Sequence, residues 1–124
     1  MTQFTNKYDL EERTAILGEN VIGFCKKMKK TLINKPIIVQ LIRSSTSVGA
    51  NYMEANGASS RRDFANKIFI CKKEAQETKH WLRMLAKTED DNEVTKKLRL
   101  LWQECQEITM IFQKITNSLR LNVK

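Results

Sequence analysis

The chain is predicted to be all-α, an antiparallel up-down-up-down four-helix bundle in one domain, 1–124. Three observations carry this. Apolar residues recur in steps of three and four along four separate segments. A single Pro and four Gly leave little punctuation for a many-turned β protein. The polar breaks between segments are short, as antiparallel neighbours require.

The first helix is expected over about 10–33. Asp9 with Glu12 three residues later resembles a capping box, and Thr14, Leu17, Val21, Phe24 and Met28 define its inner face. Asn34, Lys35 and Pro36 break it, and Pro36 suits the first turn of the next helix, where its missing N–H costs nothing. The second helix, about 37–56, places Ile37, Leu41, Ser45, Val48, Tyr52 and Ala55 on one seam and stops at Gly57. Ser60 with Asp63 caps the third, about 60–87, whose heptad is Phe64, Ile68, Cys71, Ala75, Thr78, Leu82 and Leu85. Asp90 or Asp91 caps the fourth, about 92–120, which carries Val94, Leu98, Leu101, Cys105, Ile108, Phe112, Ile115 and Leu119. Each segment is roughly 30–40 Å long, and the near-3.5 spacing favours left-handed packing at about 20°.

Ile42, Phe69, Ile70, Trp81, Trp102 and Ile111 lie beside or away from these seams. Some widen the core stripe. The rest favour a second interface and hence a homo-oligomer.

No apolar run reaches the ~18 residues of a membrane span. The opening MTQFTNKYDLEE lacks the basic and apolar parts of a secretory signal, so a cytoplasmic location and no membrane partner are expected. Cys25, Cys71 and Cys105 form no CxxC pair, so they are expected as buried reduced thiols rather than zinc ligands.

Chemistry has little to work with. His80 is the sole histidine, and Glu77-Thr78-Lys79-His80 supplies only one of the two Glu-x-x-His motifs of a di-metal bundle. Neither the first nor the fourth seam adds an inward carboxylate. GASSRRD lacks the second Gly and the Lys of a phosphate loop. No catalytic residue, metal or cofactor is expected.

Lys and Arg number 22 against 14 Asp and Glu, a net charge of +8 that fits a polyanion, with a soluble Lys-rich surface as the plainer explanation. Lys26, Lys27, Lys29 and Lys30 crowd the end of the first helix, and Arg61 and Arg62 open the third against the local helix dipole. Up-down topology puts those groups at opposite poles. Lys72, Lys73, Lys79, Arg83 and Lys87 run along the third helix and offer a stripe instead. Without RNA-recognition aromatics or a helix-turn-helix pattern, contact with backbone phosphate is expected, of low sequence specificity.

On a wheel centred on Leu41, Ser45, Val48 and Tyr52 fall within about 40° of it, while Arg43, Ser47, Asn51 and Glu54 gather nearly opposite. Ser45 and Gly49 would admit another helix closely, a return for the roughly 1 kcal/mol that Gly49 costs inside a helix. The expected reading is a polar contact between subunits, with Arg43 and Glu54 paired to charges elsewhere.

The run QLIRSSTSVGANYMEANGASSRRDF, followed by KEAQETKHWLRML, resembles the bacterial four-helix-bundle family first recognised as reading frames in intervening sequences of large-subunit ribosomal RNA genes. Arg43, Ser47, Ala50, Asn51, Glu54, Ser60, Phe64, Glu74, Glu77 and Leu82 occupy the family's positions. The first and fourth helices agree only in length and apolar pattern. The resemblance implies a ring-like homopentamer and supplies no catalytic residue. A non-enzymatic oligomer binding RNA or ribonucleoprotein is the leading expectation, and a protein–protein adaptor the alternative.

Overall fold

The computed structural model describes residues 9–122, with side chains to 120. Most of the opening stretch on which the absence of a secretory signal rests lies outside the described residues, as do both ends of the expected 1–124 domain. Four helices follow in order: α1 Leu10–Lys27, α2 Lys35–Asn56, α3 Arg61–Lys87 and α4 Asn92–Asn122. They pack in sequence, α1 on α2, α2 on α3 and α3 on α4, with α1 and α4 meeting least.

The helix starts follow from local chemistry. Asp9 Oδ1 accepts from the Glu12 amide at 3.1 Å, Ser60 Oγ from the Asp63 amide at 3.0 Å, and Asp91 Oδ1 from the Glu93 amide at 2.9 Å. Each satisfies a donor the first turn leaves open. Seven of the eight helix boundaries lie within two residues of the expected ones. The end of α1 does not: it stops at Lys27, six residues short. Met28 is extended (φ −80°, ψ 137°), and Asn34, only 1% exposed, organises the connection instead. Its Oδ1 accepts from the Thr31 amide at 2.8 Å, its own amide donates to Thr31 Oγ1 at 3.0 Å, and its Nδ2 donates to the Lys29 carbonyl at 3.1 Å. Side-chain bonds of this kind offer the backbone an alternative to helix.

The core is the four seams brought together. Leu17, Val21, Leu41, Val48, Ile68, Leu82, Leu85, Leu98, Ile108 and Phe112 are almost fully buried. Cys25, Cys71 and Cys105 are free and buried, and burial pushes the Cys71 and Cys105 thiols up to about 12. Of the apolar residues off the seams, Ile42, Trp81 and Ile111 pack half-buried on the core, whereas Phe69, Ile70 and Trp102 stay exposed. Among the described residues, no helix is long and apolar enough to cross a membrane.

Candidate nucleic-acid interface

The polar line of α2 is occupied within the chain. Arg43 reaches α3, meeting Glu74 Oε1 at 3.3 Å and the Glu77 carboxylate, and takes Gln40 Oε1 at 3.0 Å. Glu54 accepts from Lys67 Nζ at 2.7 Å, also on α3. Asn51 Nδ2 donates to the Ser47 carbonyl and to Ser47 Oγ, both at 2.9 Å. Glu77 additionally accepts from Trp81 Nε1 at 2.9 Å, and this bond, with Arg43, holds its carboxyl below the usual glutamate value of 4.5. The charges expected to meet a neighbouring subunit thus have partners on α3. The line flanks the core rather than opposing it, because α2 lies between α1 and α3 and buries more than one stripe.

The close helix approach is likewise internal. A Cβ on Gly49 would lie 3.3 Å from both the carbonyl carbon and oxygen of Thr14, and one on Gly18 would lie 3.4 Å from Thr46 Cγ2. Backbones of α1 and α2 come together there. Ser44 and Ser45 are buried beside this contact, and each hydroxyl bonds a carbonyl of its own helix, Leu41 and Ile42, at 3.3 Å. Small hydroxyls that bond their own helix can enter a core, and Ser44 has a cross-helix partner besides. Thr78 of α3 lies 3.0 Å from Ser44 Oγ.

Ion pairing sorts the charges of α3 and α4. Between Phe69 and Lys87 the only carboxylates are Glu74 and Glu77, and between Val94 and Arg120 they are Glu104 and Glu107. The first pair is drawn to Arg43 on α2. The second is drawn to Arg13 on α1, which bonds Glu104 at 2.8 and 2.9 Å and Glu107 at 2.7 Å and closes the sparse α1–α4 seam. The shared outer face of α3 and α4 keeps the cations.

On that face a continuous strip can be traced. Lys72 Nζ donates to Gln113 Oε1 at 3.1 Å and stands 5.6 Å from the Phe69 ring, on whose other contact Arg120 lies at 5.8 Å. Lys79 Nζ donates to Gln106 Oε1 at 2.5 Å and stands 5.2 Å from the Trp102 ring. Arg83 and Arg99 border the groove that contains Trp102. From Phe69 to Arg83 the strip runs roughly 20 Å at helical rise. None of these five cations takes part in an ion pair among the described residues.

Of the basic residues singled out in the sequence, then, Lys72, Lys79 and Arg83 come together. Lys73 stands apart, one turn before Glu77, whose carboxyl it helps to lower. Lys30 turns back on α1, where Nζ meets the carbonyl oxygen of Cys25 and that of Lys26. Lys26, Lys27 and Lys29 are exposed at the same pole, and Arg61 and Arg62 at the other. Arg99, Arg120, Phe69 and Trp102 were missed as site residues. Phe69 lies one turn before Lys72 on α3, and Arg99, Trp102 and Arg120 recur at three- and four-residue steps along α4, but only the pairing of α4 with α3 shows that they join Lys72 and Lys79. Among the described residues, no group of three or more His, Cys, Asp or Glu could hold a metal ion.

The family model for the 23S rRNA-intervening sequence protein matches residues 7–114. A crystal structure of a protein of unknown function from the S23 ribosomal protein family of Bacteroides thetaiotaomicron is 30% identical, with a TM-score of 0.73 over 86% of this chain and 96% of that one. No curated protein matches.

Proposed function

The chain belongs to the 23S rRNA-intervening sequence protein family, and on that premise we propose a non-enzymatic, cytoplasmic homo-oligomer that binds RNA or ribonucleoprotein through the α3–α4 face. The observation that carries this is the sorting of charge. All four carboxylates of the paired stretches are held on the seams with α1 and α2, which leaves Lys72, Lys79, Arg83, Arg99 and Arg120 facing outward together. A one-signed strip of this kind repels itself in the free protein and gains by releasing the counterions of a polyanion. The exposed rings of Phe69 and Trp102, each 37% exposed and each beside a cation, add π-faces that a Lys-rich surface kept only for solubility does not need.

The test is a salt-titrated binding assay with structured RNA. Binding is expected at low salt, weakening linearly on a log–log plot, with the slope reduced by about one for each phosphate contact removed. Lys72→Gln with Lys79→Gln should flatten the slope by about two, and Arg61→Gln with Arg62→Gln should leave it nearly unchanged. No binding at low salt would end the RNA reading. The adaptor reading draws on a different surface, the open groove of about 670 Å³ between α1 and α4, where Phe24, Met28, Val94, Leu100 and Leu101 present apolar surface. Partners that stay bound after nuclease treatment would favour it.

A further inference from the structure

At the Arg83 end of the strip, α3 and α4 part to leave a groove of about 520 Å³, within the range of small-molecule sites. Its floor is apolar, made by Leu82 and Leu98, both buried, and by half-buried Ala86. Trp102 forms a wall, and Arg83 and Arg99 stand at the edge, one from each helix. Lys79, fixed by Gln106 against the same indole, continues the line of positive charge toward Lys72. The acidic run Glu89, Asp90 and Asp91 lies in the connection between α3 and α4, outside the groove's lining.

An apolar floor with an aromatic wall suits the face of a flat ring. Two guanidinium groups without a carboxylate suit a phosphate on either side of it. An apolar protein side chain would fill the floor but give neither exposed guanidinium a partner. A base inside a duplex cannot offer its face, because it is stacked on its neighbours. We propose that this groove takes a single unstacked nucleotide, its base against Trp102 and its flanking phosphates on Arg83 and Arg99, with any continuing strand laid along Lys79 and Lys72. The inference rests on the RNA reading of the α3–α4 face and specifies which form of nucleic acid that face receives.

Trp81 and Trp102 are the chain's two tryptophans, so Trp81→Phe leaves Trp102 as the only indole reporter. In that background, Trp102 fluorescence is followed with single-stranded oligoadenylate, with a blunt RNA duplex of the same length, and with AMP. The single strand should quench Trp102 saturably, and the duplex should bind at low salt by anisotropy without quenching. Trp102→Leu should weaken the single strand by about ten- to a hundredfold and leave the duplex unchanged, the scale of one lost base–aromatic stack. AMP quenching at concentrations like those of the strand would support the pocket and assign it to a free nucleotide; quenching by the strand alone would assign it to RNA. Equal loss for strand and duplex, or strand binding without quenching, overturns the pocket while the wider RNA reading stands. Absence of all binding at low salt overturns both. Should Trp102→Leu lose helical signal, Arg99→Gln serves instead, expected to reduce the salt slope by about one for both forms but to weaken the single strand more than the duplex, equal weakening overturning the pocket.

Discussion

Gly49 and Gly23 both sit inside helices, and each forfeits about 1 kcal/mol of helix propensity relative to Ala. Their surroundings differ. Nothing lies within 4 Å of a Cβ placed on Gly23, so Gly23→Ala should stabilise the protein by about 0.5–1 kcal/mol. At Gly49 the same atom would press on Thr14 and on the Ala15 nitrogen at 3.3–3.4 Å, and these are backbone atoms that yield only if α1 moves. Overpacking costs of about 1–3 kcal/mol outweigh the propensity gain, so Gly49→Ala should destabilise by about 1 kcal/mol. Urea melts of the two variants should shift in opposite directions, and shifts of the same sign would break this account of the α1–α2 contact. The sequence made the need for a close approach at Gly49 legible, since a mid-helix glycine calls for a reason. The identity of the approaching helix was not legible, because wheel position says which side is tight and not whose backbone fills it. Asn34 was hidden for a related cause. Its three hydrogen bonds close a local loop that has no periodicity to detect.

Elements meet through a few charged residues whose partners differ from those expected. Arg43 joins α2 to α3 by way of Glu74 and Glu77, and Trp81 donates to the same Glu77 oxygen that faces Arg43. Because the Trp81 bond and Arg43 stabilise the ionised form, the folded Glu77 carboxyl lies below its ordinary value of 4.5. Its unfolded counterpart binds a proton first as pH falls. The stability it contributes is therefore present above about 4.5 and is lost as pH drops through the lowered folded value. Glu77→Gln should make the loss of stability between pH 5 and pH 3, read by urea midpoints, smaller than in the unmodified protein. An unchanged acid limb would show that this cluster is not among the carboxylates that set it. The effect should be modest, since the Arg43 side chain is 46% exposed and solvent screens the pair. The same logic explains α1. Its amphipathic spacing continues to Met28, but Lys30 folds back onto the last carbonyls and Asn34 captures the following backbone, so the helix ends where side-chain partners end it.

Across the whole molecule, the bundle was readable because four long stripes with short breaks leave few other ways to bury them. The third stripe is the clearest case: all of its members but Phe64 are buried. The α3–α4 face was only half readable. Lys72 and Lys79 were visible as a stripe, whereas Arg99, Trp102 and Arg120 join them only once α4 is set antiparallel beside α3. A consequence for assembly follows from where apolar surface remains. With the α2 polar line and Gly49 satisfied inside the chain, neither needs a second subunit. Among the exposed large apolar side chains, Leu32 at 92%, Ile33 at 68% and Val39 at 57% lie beside one pole, and Leu100 at 63% lies on the α1–α4 groove near the same pole. These are two different surfaces, a projecting loop and a cleft. Contact between unlike surfaces generates a closed ring when the rotation closes, not a two-fold dimer. The proposed homo-oligomer should therefore weigh several times the 14.5 kDa chain, about five copies by the family resemblance, in sedimentation at micromolar concentration. Leu32→Asp with Ile33→Asp should reduce it to the monomer mass while keeping helical signal, because neither side chain contributes to the core. A mass of 14.5 kDa at every concentration would remove the oligomer, and an unaffected oligomer in the double variant would move its interface away from this pole.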